Sequence, residues 1–170
     1  LITMILPRPG WEKGYSGKPP IHQVGCVGQI VAEQRLEDGR FNILLRGQAR
    51  VRVIEEVHCN KLYRVARAEM LRERPIQSKL AQRRWRRQLR SKLDAWFTDA
   101  EVAKRMKDLL KGDLPLGMLC DVIALALPLD AEFKQILLEE LDVETRLGRL
   151  TKFVDTMTMH RPFPPEFSVN

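Results

Sequence analysis

Hydrophobic and polar positions change their period near residue 75. Before it, the pattern is that of strands. The run VGCVGQIVAE (24–33) is rich in β-branched residues, and QRLEDGR follows as a turn with Asp38 and Gly39 at its tip. FNILL then alternates: Phe41, Ile43 and Leu45 point one way, Asn42 and Leu44 the other. Gly47 interrupts the run at a position suited to a bulge. ARVRVIEEV resumes it with Ala49, Val51 and Val53 on one face, and YRVARAEML (63–71) reads as a further strand. The opening LITMIL also reads as a strand, and residues preceding Leu1 are expected to be missing. Strands so close in sequence pair as meanders, so a small antiparallel sheet curled into a barrel is expected.

After Pro75 the period becomes 3.6. From Ser78 to Phe97, Ala81, Trp85, Leu89, Leu93 and Trp96 fall on one helical stripe. Thr98 and Glu101 have the spacing of a capping box, which starts a second helix that stops at Gly112. Asp113 is the expected cap of a third helix, with Pro115 in its first turn. That helix is nearly all apolar to Leu127, is expected to be the buried one, and ends at Pro128. Asp130 and Asp142 cap two more helices. The predicted class is α+β: a β-barrel over 1–74, a helical bundle over 75–158 and a proline-rich tail over 159–170.

Composition narrows the class of protein. Of 170 residues, 44% are hydrophobic and 30% charged, which fits a folded chain. No apolar run reaches the length of a membrane span, and the start lacks the features of a signal peptide. Cys26, Cys59 and Cys120 are odd in number and far apart, which suits reduced, buried thiols in a cytoplasmic protein. No C-x-x-C or H-x-x-x-H pair supports a metal site, and no cofactor is expected. Met106, Met118, Met157 and Met159 read as core filling.

The net charge of +7 is concentrated in RRWRRQLRSK, residues 83–92. On a helix, Arg83, Arg84, Arg87 and Arg90 lie opposite the apolar stripe and Trp85 within it. The four arginines form either a solvated face or a nucleic-acid contact. An inward Trp85 weakens the second reading, because the ring would not be free to stack on a base. Motifs for enzymatic chemistry are missing: there is no phosphate-binding G-x-x-x-x-G-K-[ST], no G-x-G-x-x-G and no G-x-S-x-G. No catalytic residue is assigned, and a hydrolase with a spatially assembled site is the weakest of the readings.

The stretch RPGWEKGYSGKPPIH (8–22) mixes prolines and glycines with Trp11 and Tyr15. It excludes regular helix or a central strand. Aromatics on a stiff loop make good peptide anchors, because they offer area at little entropic cost. The alternative is that both rings fold back as a lid on the sheet. Under the first reading Trp11 and Tyr15 contact a peptide, and Arg8 and Lys18 fix its polar groups.

The ordered set VGCVGQI, DGRFNILLRG, ARVRV, ALPLDAEFKQILLEEL and LDVETRLGRLTKF resembles the N-terminal substrate-binding domain of Lon proteases. The resemblance covers nearly the whole chain. In that family the pattern begins earlier, with a strand–turn–strand–helix unit of roughly forty to sixty residues. The resemblance implies a PUA-like barrel followed by a helical bundle. It also implies recognition of protein substrates beside downstream ATPase and Ser-Lys peptidase domains, neither of which has its motifs here. The expectation is a stand-alone, non-catalytic module that binds unfolded or client proteins, with a protease as a further partner. Related PUA-like barrels bind RNA, which keeps the basic helix open as the alternative.

Overall fold

The structure, a computed structural model, describes residues 1–14 and 18–159. They divide into two compact units, Leu1–Arg72 and a unit beginning at Glu73. The first is a four-stranded antiparallel sheet in the order β1-β2-β3-β4. Its strands are β1 (Ile2–Met4), β2 (Val24–Arg35), β3 (Phe41–Val57) and β4 (Val65–Met70). A short 3-10 turn, Trp11–Gly14, lies between β1 and β2.

β2 and β3 form one long hairpin. At its turn the Leu36 amide donates to the Arg40 carbonyl at 2.8 Å, and Gly39 takes φ +81°, which a side chain would disfavour. Asp38 locks the turn by accepting from the Arg40 amide at 3.0 Å and pairing with its guanidinium. The Arg40 side-chain bond, followed by the amide, holds the Asp38 carboxyl below its ordinary value.

The hairpin slips register twice. Val27 faces Ala49 but Gly28 faces Gly47, which leaves Gln48 unmatched, as the glycine had indicated. Ile30 faces Leu45 but Ala32 faces Leu44, which leaves Val31 unmatched. The buried apolar side chains of the sheet, Val24, Val27 and Val51, lie where three strands overlap.

The sheet is a meander, as expected. Among the described residues its outer strands β1 and β4 do not pair with each other. β4 begins at Val65, later than the alternation implied, so Tyr63 lies in the connection before it. Arg64, just before the strand, bonds Glu56 and the Pro19 carbonyl.

The second unit holds helices α1 (Lys79–Trp96), α2 (Ala100–Lys111), α3 (Leu116–Ala126), α4 (Ala131–Glu139) and α5 (Val143–Met159). Trp85, Leu89, Leu93 and Trp96 are buried along α1, matching the predicted stripe. They pack in one cluster with Leu119, Ile123, Leu147 and Leu150, among others.

Caps account for most boundaries. Ser78 Oγ accepts from the Ala81 amide, Asp130 from Phe133, and Asp142 from Thr145. α2 departs from the sequence reading. Its cap is Asp99, not Thr98, because the Asp99 carboxylate takes both the Glu101 and Val102 amides at 2.9 Å. Glu101 instead pairs with Arg105, one turn on. α3 is capped by Pro115 without a side-chain bond, so Asp113 does not serve.

Two further expectations fail. Met118 and Met157 are exposed, since α3 and α5 each turn a face outward, and Leu125 is exposed with them. Cys59 is exposed too, while Cys120 is buried and Cys26 intermediate; all three are free thiols. No helix among the described residues is long and apolar enough to cross a membrane.

Candidate functional site

The loop after β1 is clamped at its base. Pro7 bridges Ile21, the Arg8 amide donates to the Pro20 carbonyl, and the His22 amide donates to the Leu6 carbonyl, both at 2.9 Å. Arg8 Nε adds a bond to the Ile21 carbonyl at 3.2 Å. From the far end of the sheet, Arg64 Nη1 donates to the Pro19 carbonyl at 3.0 Å. The same guanidinium forks onto Glu56 of β3 through Nε and Nη2. Arg64 therefore ties loop, β3 and the start of β4 together. Its side-chain bond is the largest cause of a Glu56 carboxyl held below the ordinary 4.5, with Lys18 and His58 adding smaller attraction.

Within this frame Trp11 is half-buried and opens the 3-10 turn. Arg8 and Lys18 are exposed. Tyr15 lies outside the described residues. The structure thus brings Arg8, Trp11 and Lys18 to one clamped loop. It also gives Arg8 a structural bond in addition to the ligand-fixing role that the sequence implied.

The basic helix is laid out as expected. Arg83, Arg84, Arg87 and Arg90 are exposed on α1, and Trp85 is buried. Glu144 of α5 joins the two faces: it accepts from the Trp85 indole at 3.0 Å and pairs with Arg84 at 3.1 Å. The ring is thereby held inward and one of the four arginines is partly neutralised. Arg86, passed over in the sequence, donates to the Leu110 carbonyl at the end of α2 and to the Leu114 carbonyl in the connection that follows.

Sequence reasoning also missed the most buried charge. Arg146 is 0% exposed and pairs with Glu73 at 2.7 Å, with Asp121 at 3.5 Å. The signal was available: Arg146 lies one residue before Leu147, on the apolar side of α5. A second missed feature is an apolar groove between α4 and α5. Phe133 and Phe153 stack there with centroids 3.8 Å apart, beside Ile136 and Met157, with Arg149 and Lys152 at the rim.

Among the described residues no group of three or more His, Cys, Asp or Glu side chains gathers as a metal site would require. The carboxyls with a resolved shift, Asp38, Glu56, Asp108 and Asp142, are all moved downward by hydrogen bonds and cations. That is the behaviour of caps and ion pairs; a general acid needs the opposite shift.

Known proteins share this arrangement. Residues 2–156 match the family described as the ATP-dependent protease La (LON) substrate-binding domain. Lon protease 2 of Herpetosiphon aurantiacus is 31% identical over 135 residues, which is 77% of this chain and 16% of that protein. The Lon protease of Roseiflexus castenholzii is 30% identical over 141 residues, 78% of this chain and 16% of its own. The chain therefore spans about a sixth of the curated relatives it matches. Among solved structures, the N-terminal domain of a Mycobacterium avium complex Lon protease superposes with TM-score 0.64 at 18% identity, covering 94% of this chain and 78% of that one. The Lon N-terminal domain protein of Xanthomonas campestris gives 0.50 at 19% identity, over 89% and 88%. These two likenesses concern the fold. On the match across nearly its whole length, the chain belongs to the Lon substrate-binding domain family.

Proposed function

We propose that this protein is a non-catalytic module that captures protein substrates as unfolded or extended segments, acting in the cytoplasm beside a protease. The observation that carries the reading is the base formed by Pro7, Arg8 and residues 19–22, fixed by Arg8, Arg64 and the Pro7–Ile21 bridge, from which a half-buried Trp11 is presented. A fixed aromatic loses little freedom on binding, so its contact area converts to affinity. Arg8 and Lys18, both exposed, supply polar fixation for a polypeptide backbone or an acidic side chain. Tyr15 belongs to the same proposed contact.

The test is a folded Trp11→Ala, Tyr15→Ala double variant. Its affinity for a permanently unfolded protein should fall about tenfold or more, the usual effect of truncating aromatic anchors. Unchanged affinity removes the loop from the site. The nucleic-acid reading of Arg83, Arg84, Arg87 and Arg90 gains no support, because the Trp85 indole is engaged by Glu144.

A further inference from the structure

Helices α4 and α5 leave an apolar groove of about 440 Å³ between them. Its floor is the stacked pair Phe133 and Phe153, both half-buried. Ile136 and Met157 wall it and are 43% and 56% exposed. Arg149 and Lys152 stand at its rim. Arg149 is already paired with Glu140 at 3.1 Å, whereas Lys152 is exposed and turned to solvent. A recess of this size takes a large apolar side chain, and the cationic rim adds a preference for a carboxylate beside it.

The groove opens at the end of α5. Met157 lies two residues before Met159, where the helix ends. Residues 160–170, His-Arg-Pro-Phe-Pro-Pro-Glu-Phe-Ser-Val-Asn, lie outside the described residues. Their sequence does not suit a continued helix, because Pro162 disfavours a helical Arg161 and is followed by Pro164 and Pro165. It does suit the groove: Phe163 is a large apolar side chain, and Glu166 is the one carboxylate of the segment.

Lengths agree with this match. Phe163 is four residues past Met159, a reach of up to about 13 Å. Phe153 lies about 9 Å back from Met159 along the helix axis. Glu166 is three residues beyond Phe163, about 9 Å farther in the polyproline geometry that neighbouring prolines favour. Side chains on a helix lean toward its N-terminus, which carries the Lys152 ammonium toward that point.

We propose that residues 160–166 turn back over α5, seating Phe163 against Phe133, Phe153 and Met157 and placing Glu166 beside Lys152. A tether this short gives the segment an effective concentration on the order of millimolar, which a free polypeptide or a second copy does not match. Its prolines leave it fewer conformations to lose on docking. Once seated, it closes the groove to other polypeptides. The inference is independent of the substrate-capture reading and stands or falls apart from it.

The experiment is nuclear Overhauser spectroscopy on the full chain, deuterated except for methionine methyls and phenylalanine rings. The Met157 methyl should show a cross-peak to a phenylalanine ring that vanishes in Phe163→Ala, while the Met118 methyl on α3 keeps its position. Lys152→Glu should lower that cross-peak about twofold, the scale of an exposed ion pair, and Lys152→Glu combined with Glu166→Lys should restore it. A Met157 methyl whose cross-peaks are unaltered in Phe163→Ala overturns the proposal. A cross-peak indifferent to Lys152→Glu overturns the placement of Glu166. A sample mixing methionine-labelled with phenylalanine-labelled protein, both of unaltered sequence, should lack the cross-peak. Its appearance there would give the groove to the tail of a second copy and overturn docking within one chain.

Discussion

Removing Glu73 should strand a guanidinium in the helical core. Arg146 is 0% exposed, and its nearest carboxylate is Glu73 at 2.7 Å. Breaking a fully buried pair from one side costs about 3–5 kcal/mol, because the remaining charge stays desolvated. Two features reduce that here: the Glu73 side chain is 32% exposed, and Asp121 remains 3.5 Å from Arg146 Nη1. Glu73→Ala should therefore cost about 2 kcal/mol. For a unit of this size that lowers Tm by about 8–15 °C.

The assay is urea unfolding followed by tryptophan fluorescence, which reports on this unit through the buried Trp85 and Trp96. Adding Arg146→Met should recover part of the loss, since an apolar side chain of similar length needs no partner. Gly117 supplies a second cycle. A Cβ there would sit 2.6 Å from Glu73 Oε2 and 2.9 Å from Arg146 Nη2. In the unaltered protein that crowding opposes a helix-propensity gain of at most about 1 kcal/mol from Gly117→Ala, and part of the gain should reappear in the Glu73→Ala background, where only the Arg146 side chain still has to give way. A Glu73→Ala variant within about 0.5 kcal/mol of the parent, or a double variant with Arg146→Met less stable than Glu73→Ala alone, would refute the reasoning.

Arg64→Ala should cost only about 0.5 kcal/mol globally, since both partners are about one-third exposed, but should speed hydrogen exchange at the Arg8 and His22 amides by releasing Pro19. Equal protection of those amides in variant and parent would remove Arg64 as the anchor. The Glu56 carboxyl is lowered in the folded state, so its contribution is present above the ordinary value of 4.5 and lost as pH falls through the folded value. Loop protection should accordingly drop in acid below that value in the parent and show no such step in Glu56→Gln. Asp142→Ala removes the acceptor for the Thr145 amide and should cost about 1 kcal/mol in the same urea assay; no change would mean another group caps α5.

The helical unit was the more legible half. Its stripe, the caps Asp130 and Asp142 and its proline stop are local signals, and α1 buries four of the five residues that the 3.6 period picked out. The failures there have local causes as well. Two candidate caps stood side by side at Thr98 and Asp99, and the carboxylate took both amides. The burial of Arg146 had a local signal that was passed over, but its partner could not be read locally, because Glu73 is far along the chain, before α1.

In the sheet, alternation correctly assigned faces from Phe41 to Leu45 and marked the Gly47 slip. It could not say which strands stop short. Among the described residues β1 and β4 are short beside the hairpin, and period-2 patterning carries no information on strand length. The loop aromatics were visible as residue types. The tie from Arg64 to the Pro19 carbonyl, at a distance in sequence, was not.

The central claim is tested most directly by titrating this protein with one ribonuclease preparation in two states, native and reduced-carbamidomethylated. Saturable binding of the unfolded state only, weakened about tenfold by the Trp11→Ala, Tyr15→Ala pair, is the predicted result. Equal affinity for both states, or none for either, would contradict capture of unfolded segments.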